Sequence, residues 1–292
     1  MAKLWFFITL IMSLFVSSKG GEKVVGWFVG NNSKLEHFPW SCYTHIHNYC
    51  PLVDENGFAH CDKNNTEMMQ WIDAVHKHQK KAVWGLGIEN FHDVLWGNAE
   101  EAGTNYIKTI GQAMEDCNID GIEVDYEWQD TNWGQTGIIP PQKSTKYTEF
   151  LSSIKKNIAP HREVSADVSI WGFAKGEYLL GFFPWVNASM LNNGEIDYIN
   201  TMSYHYADNK TLWPWKKDGF FLHTLWGIDR DRVNIGVPYY NVNKNPLMTK
   251  ETNKNLGEWI KKEGWRGAFV FAATYDNYND PLINDLCRGL GA

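Results

Sequence analysis

The sequence predicts an α/β fold, a single (β/α)8 TIM barrel, from three observations. Eight short apolar or alternating runs recur along the chain, amphipathic helical patterns separate most of them, and no Pro/Ser/Gly-rich linker or low-complexity tract divides them. Strands alternating with helices over roughly 250 residues are the pattern of a parallel sheet, and eight strands in one domain favour a closed barrel over an open sheet.

The barrel begins after a leader. Met1-Ala2-Lys3 precedes the apolar run Leu4 to Val16 and the small residues Ser17-Ser18. One lysine, a short hydrophobic core and small residues at a cut describe a secretory signal peptide, too short for a membrane span. Residues 1–20 are set aside on that basis, and 21–292 are expected to form one domain. No later stretch is long and apolar enough to cross a bilayer, so no membrane partner is expected once the leader is removed. A net charge of −7 argues against nucleic acid and for a neutral ligand, on a soluble monomer.

Lys23 to Val29 reads as the first strand, stopped by Gly30-Asn31-Asn32, and the connection Gly30 to Tyr43 is too short for a full helix. His45-Ile46-His47-Asn48-Tyr49 alternates as the second strand, with turn chemistry at Asp54-Glu55-Asn56-Gly57. Asn65 to Gln79 carries Met68, Met69, Trp71, Ile72 and Val75 at helical spacing, with Thr66 as the expected cap. Ala82 to Gly87 is strand three, Glu100 to Cys117 a helix, and Asn118 to Trp128 strand four. Thr145 to Asn157 is an amphipathic helix, Glu163 to Ser169 strand five, and Asp197 to Tyr204 strand six, reached through the less regular Glu177 to Leu191. Gly219 to Ile228 reads as a short helix, Arg232 to Pro238 as strand seven, Lys250 to Glu263 as a helix, Gly267 to Ala272 as strand eight and Asp280 to Leu290 as the closing helix.

In strand four the apolar Ile122, Val124 and Tyr126 alternate with Glu123, Asp125 and Glu127. Period-2 alternation puts three carboxyls on one face, about 7 Å apart, where they share protons and push one another's pKa values apart. Active sites of barrels lie at the C-terminal ends of strands, so the acids point inward with Glu127 nearest the mouth.

A secreted chain meets an oxidising compartment. Cys42, Cys50 and Cys61 crowd into twenty residues, so a bridge among them is expected; with Cys117 and Cys287 the count is odd, leaving a thiol over. No cysteine or histidine spacing matches a metal motif, so neither metal nor cofactor is expected. Asn31, Asn64, Asn187 and Asn209 head glycosylation sequons and should lie in surface loops. Among fifteen tryptophans, Trp71, Trp259 and Trp27 are assigned to packing between helices and barrel. Trp128, Trp133, Trp171, Trp213 and Trp215 follow strands at the mouth, where flat rings serve either sugar faces or packing.

Asp120-Gly121-Ile122-Glu123-Val124-Asp125-Tyr126-Glu127 resembles the D-G-x-D-x-D-x-E signature of glycoside hydrolase family 18, the chitinases and di-N-acetylchitobiase-like enzymes. Further resemblances follow in family order over about residues 23 to 290: Thr44 to Tyr49 to its second strand, Met202-Ser203-Tyr204 to its M-x-Y, and Gly236 to Tyr240 to its G-x-P-x-Y. The resemblance implies retaining hydrolysis of β-1,4-linked N-acetylglucosamine in chitin, chito-oligosaccharides or chitobiose cores, with the substrate supplying the nucleophile. Glu127 would protonate the glycosidic oxygen, and the 2-acetamido carbonyl would attack the anomeric carbon. Asp125 would orient the acetamide, Tyr204 would donate to its oxygen, and Glu123 would help hold the proton. The resemblance places Asp120, Met202, Phe271, Trp128 and Tyr239 at the substrate.

Four positions depart from that pattern. Glu123 stands where the family has Asp, one methylene longer, so the relay is shifted or the cluster tighter and an altered pH profile is expected. Gly85-Leu86-Gly87-Ile88 replaces S-x-G-G, Phe271 replaces a tryptophan floor, and His205 follows Tyr204 in place of Asp. Lys250 follows within ten residues of Tyr240, which leaves no room for the α+β module that some relatives insert after strand seven. The expected protein is therefore a secreted or lysosomal glycosidase. The alternatives are an endo-β-N-acetylglucosaminidase acting on N-glycans and a catalytically weak chitinase-like lectin.

Overall fold

A computed structural model describes residues 23–49, 53–54, 56–86, 100–125, 141–168, 187–204, 212–239, 249–276 and 281–292, without side chains at 100–102, 141–146 and 213–214. The expected leader, Glu127, Trp128, Trp133, Trp171, Asn209 and the side chain of Trp213 lie outside the described residues.

Eight parallel strands close into a barrel in sequence order. They are β1 (Lys23–Trp27), β2 (His45–Tyr49), β3 (Lys81–Leu86), β4 (Gly121–Asp125), β5 (Glu163–Val168), β6 (Tyr198–Thr201), β7 (Val233–Pro238) and β8 (Gly267–Phe271). Closure is made by β1 against β8, with Val25 opposite Phe269. The helices are α1 (Thr66–Lys77), α2 (Glu100–Cys117), α3 (Pro141–Asn157), α4 (Ala188–Asn192), α5 (Trp213–Gly219), α6 (Lys250–Glu263) and α7 (Ile283–Leu290). The short first connection holds one 3-10 turn, Asn32–His37. None of the described helices is long and apolar enough to cross a membrane.

Local chemistry sets most boundaries. Asn65, not Thr66, caps α1, its side chain accepting from the Met68 N–H at 3.0 Å; the amide reaches the free N–H from just outside the first turn. Met68, Trp71, Ile72 and Val75 are then buried as one helical stripe. The helix expected from Gly219 begins earlier, as α5, and continues as a π-helical stretch Phe220–Leu225. Asp276 receives the Leu282 and Ile283 N–H groups at 2.9 and 3.0 Å, which starts α7 three residues later than the apolar pattern indicates. Helices α6 and α7 pack backbone to backbone: a Cβ on Gly257 would sit 2.3 Å from the Leu286 carbonyl oxygen, and one on Gly289 2.1 Å from that of Lys254. Only glycine allows that approach.

The disulfides correct the expectation of a bridge within the Cys42, Cys50, Cys61 group. Cys42 joins Cys287, with Cα atoms 6.0 Å apart, and Cys61 joins Cys117 at 5.6 Å. Nearness in sequence loses to closure of the barrel, which brings the segment before β2 against α7 and the segment before α1 against the end of α2. The bridges close loops of 245 and 56 residues, and loop entropy assigns them on the order of 5 and 4 kcal/mol. Asn31, Asn64 and Asn187 are exposed, the first and third capping the turns that follow them.

Two apolar regions result. The large one lies between strands and helices and holds Ile122, Val124, Trp71 and Trp259, as their spacing predicts. The small one lies inside the barrel and consists of Val25, Trp27, Tyr198 and Phe269, with Tyr204 and Phe271 against it.

Candidate active site

Alternation along each strand sends every second side chain into the barrel. On β4 these are Glu123, fully buried, and Asp125, half-buried at the strand's last position. On β2 they are His45, His47 and Tyr49, and on β5 Glu163, Ser165 and Asp167, with Asp167 in register with Asp125.

At the N-terminal end of the barrel, Glu163 meets Lys81 at 2.5 Å and His45 Nε2 at 2.8 Å. Burial pushes the Glu163 carboxyl up, but the hydrogen bonds and charge facing it outweigh that and hold it well below the usual carboxylate range. His45 is pulled down to about 4, chiefly by burial, so it is neutral at pH 7 and its contribution is a hydrogen bond. The opposing charge is that of Lys81. With Glu163 ionised, the ring presents Nε2–H to it, leaving Nδ1 to accept from Thr44 Oγ1 at 2.7 Å.

One layer up, an amide chain runs across the barrel. Arg266 donates to Asn234 Oδ1 at 3.1 Å, Asn234 Nδ2 donates to Asn200 Oδ1 at 2.8 Å, and Asn200 Nδ2 donates to Glu123 Oε1. A guanidinium only donates, so the direction of both amides is forced, and the chain carries positive potential from Arg266 to Glu123. His47 Nδ1 meets the other Glu123 oxygen. Burial lowers His47 to about 3 and raises Glu123 to about 8, so this contact joins two neutral groups at pH 7 and is a hydrogen bond, not an ion pair. The charge of Asp125 adds to the rise at Glu123, while hydrogen bonds from Asp167 and Asn200 oppose it. Asp167 is also raised, first by burial and then by Glu123.

At the mouth, Trp27 Nε1 donates to Asp167 Oδ2 at 3.2 Å, and the indole packs on Tyr49 with ring centroids 4.5 Å apart. The Tyr49 hydroxyl reaches Asp125 Oδ2 at 3.4 Å. Across the opening Tyr204 stacks on Phe271 at 5.7 Å. The arrangement is a partly buried carboxylate, Asp125, over the buried carboxyls of Glu123 and Asp167, beside aromatic faces. Among the described residues no group of three or more His, Cys, Asp or Glu side chains is arranged to hold a metal ion.

Asp125, Glu123, Tyr204 and Phe271 thus converge as their strand positions predict, with Met202 buried just beyond β6. Two assignments are corrected, and a third residue left open between packing and sugar contact is decided. Asp120 precedes β4, at the far end from the mouth, and its carboxylate takes the Ala82 N–H and His76 Nε2, each at 2.8 Å, tying the base of the barrel. Tyr239 faces outward, fully buried against the helices, with its hydroxyl on Asn253 Oδ1 at 2.8 Å; one step beyond β7, the alternation turns it away from the interior. Trp215 is likewise fully buried and donates to the Gly236 carbonyl at 2.9 Å, so it packs and meets no sugar.

Trp27, assigned to helix packing, stands inside the barrel. Gly85 makes the space: a Cβ there would lie 1.9 Å from the Trp27 ring. The reading by residue type also passed over His47, Asn200 and Asp167. Their signal is the same polar alternation that marks β4, present in His45-His47-Tyr49 and Glu163-Ser165-Asp167.

The model of a family described as glycosyl hydrolases family 18 matches residues 23–269. No curated protein matches the sequence. Among solved structures, a chitinase from Bacteroides thetaiotaomicron is similar with a TM-score of 0.70 at 17% identity, covering 92% of this chain and 96% of that one. A family 18 chitinase from Cycas revoluta in complex with (GlcNAc)3 gives 0.69 at 11%, covering 92% and 100%. The group IV chitinase of Ostrinia furnacalis in complex with allosamidin gives 0.69 at 13%, covering 92% and 99%. At these identities the structural likeness speaks to the fold alone. The family match runs from β1 into β8, and by that match the chain belongs to the glycosyl hydrolases of family 18.

Proposed function

We propose that the protein is a retaining hydrolase of β-1,4-linked N-acetylglucosamine, working by substrate-assisted catalysis. The observation that carries this reading is Asp125, a partly buried carboxylate ending β4 two positions beyond the buried Glu123 on the same face, in a chain of family 18. A carboxylate there suits a substrate acetamide, whose nitrogen it orients while its charge offsets the positive charge of an oxazolinium ion. Glu127 follows two positions later in the sequence and continues the acidic alternation, which supports its role as the acid that protonates the leaving oxygen and later activates water. Tyr204 and Phe271 supply an aromatic wall suited to a sugar face. Delivery to the secretory route, outside the cell or to a lysosome, is the matching location. Two cross-links and the exposed sequons at Asn31, Asn64 and Asn187 support it.

The test is release of product from a fluorogenic N-acetylglucosamine oligomer by wild type and by Glu127→Gln. The expected outcome is turnover that falls by about 100-fold or more in the variant, with no hydrolysis of the matching glucose oligomer. Binding without turnover by wild type would leave a lectin, and hydrolysis of the glucose oligomer at a comparable rate would exclude assistance from the acetamide.

A further inference from the structure

The exposed sequons are not scattered over the barrel. Asn31 follows β1, Asn64 lies between β2 and α1, and Asn187 lies between β5 and α4. In a (β/α)8 barrel the segments that leave a strand for the next helix stand at the mouth, and those that lead from a helix back to a strand stand at the base. Among the described residues no base segment carries a sequon.

The sites divide between two arcs of the rim. The Asn32 side chain donates to the Glu67 carbonyl at 2.7 Å, which ties the turn after β1 to the first turn of α1 and brings the segments of Asn31 and Asn64 together. Asn187 starts α4, and its N–H meets Thr148 Oγ1 of α3 at 3.2 Å. In the closed order from β1 to β8, β5 stands opposite β1. The three sites therefore flank the mouth on both sides.

Each side chain also leaves the atom that a glycan needs. A backbone N–H only donates, so the capping atom of Asn31, which takes the Ser33 N–H at 3.2 Å, is Oδ1. The same holds for Asn187, which takes the Ser189 and Met190 N–H groups at 2.9 and 3.3 Å. Nδ2, the atom joined to sugar in N-glycosylation, takes no part in either cap. The three asparagines are exposed, as are Ser33, Thr66 and Ser189, which complete the sequons. Caps and glycans can therefore coexist.

We infer that N-linked glycans at Asn31, Asn64 and Asn187 fence the mouth of the barrel, admitting short soluble chains and holding off the face of an insoluble polymer. This rests on the hydrolase reading and the secretory delivery proposed above. In each modification Nδ2 bonds to the anomeric carbon of an oligosaccharide carried on a lipid diphosphate. The bond from that carbon to the diphosphate oxygen breaks, the diphosphate leaves with the electron pair, and one amide proton is lost to base. The attached sugars are bulky and hydrated. A flat surface brought to the mouth meets them on both arcs, whereas a short oligomer enters between them. With no room for an α+β module after β7, the glycans supply a wall that the polypeptide omits.

The experiment uses the full chain secreted from a eukaryotic host. It is compared with the same protein after enzymatic removal of its N-glycans, and with the triple variant Ser33→Ala, Thr66→Ala, Ser189→Ala, which loses these sequons but keeps the asparagines that cap. Peptide masses read occupancy. Turnover is read on the fluorogenic oligomer and as sugar released from chitin particles, and retention is read on chitin and on cellulose particles. All three asparagines are expected to carry glycan in the secreted protein. In the triple variant kcat/KM on the oligomer should stay within about twofold, while release from chitin particles rises about threefold or more. Retention on chitin should rise with it, and retention on cellulose should not.

An unmodified asparagine on either arc, or equal release from particles with and without glycans, would overturn the proposal. A matching rise on cellulose would overturn it too, by showing a general loss of solubility. If the triple variant does not fold, the enzymatically trimmed protein, folded before its sugars are removed, gives the same comparison. A secreted protein that turns over no oligomer overturns the hydrolase reading. The fence is then judged by retention on chitin particles, and retention unchanged by trimming overturns it separately.

Discussion

At the lower end of the barrel interior Glu163 faces Lys81 at 2.5 Å and a neutral His45 at 2.8 Å, whereas toward the mouth lie Glu123, Asp167 and Asp125, with His47, Asn200 and Trp27 as their neutral hydrogen-bond partners. Both ends bury carboxyls. The lower end neutralises its charge with a cation and keeps Glu163 ionised; the upper end neutralises by holding protons. A compensated carboxylate has no reason to exchange its proton near neutral pH. The pair at the mouth does, because burial and like charge leave Glu123 at about 8. The same closed interior therefore anchors at one end and is set for proton chemistry at the other.

The largest test of that contrast is Gly85→Ala. Its new Cβ lies 1.9 Å from the Trp27 ring, which must move; the expected cost is about 1 to 3 kcal/mol. Because Trp27 donates to Asp167, kcat should fall as well. Denaturant melts and oligomer turnover check both; a tolerated alanine with normal kcat would separate the indole from the acidic pair.

Lys81→Met breaks the lower end. Glu163 is held ionised below the usual range, so it contributes stability above its unfolded pKa, near 4.5, and loses it as pH falls through its folded one. The variant should lose about 1 kcal/mol at pH 7, modest because the Lys81 side chain is 41% exposed and screened. Its stability should fall less steeply on acidification than that of wild type. Turnover per folded molecule should hold, and a large loss of kcat would show that the two ends are not separate.

The smallest effect is expected from Tyr49→Phe. Its hydroxyl lies 3.4 Å from Asp125, a long contact at an exposed position, so kcat should fall less than about threefold with no change in stability beyond about 0.5 kcal/mol. A tenfold loss would make Tyr49 the main orienter of Asp125.

Much of the fold was legible because its signals are local. Strand alternation and helical spacing put Glu100–Cys117 and Lys250–Glu263 at their observed limits and turned Glu123 and Asp125 inward while Ile122 and Val124 faced the helices. The misplacements fell where a boundary decides direction. Tyr239 lies one residue past the end of β7, and Asp120 one residue before the start of β4. A motif fixes spacing along the chain but not which end of the strand each member occupies.

By itself the sequence determined the barrel, the inward column of acids and the family resemblance, since each depends on residues within one strand or helix. Only the tertiary structure decided that Cys42 meets Cys287, that Trp27 enters the interior over Gly85, and that the Trp27 indole meets Asp167. Those contacts join residues that are 245 positions apart in the first disulfide and 140 apart in the Trp27 to Asp167 hydrogen bond. The physical reason is closure. Eight strands tilted around one axis bring together side chains that no local period relates, and the charge balance of the interior is set by which of them face each other.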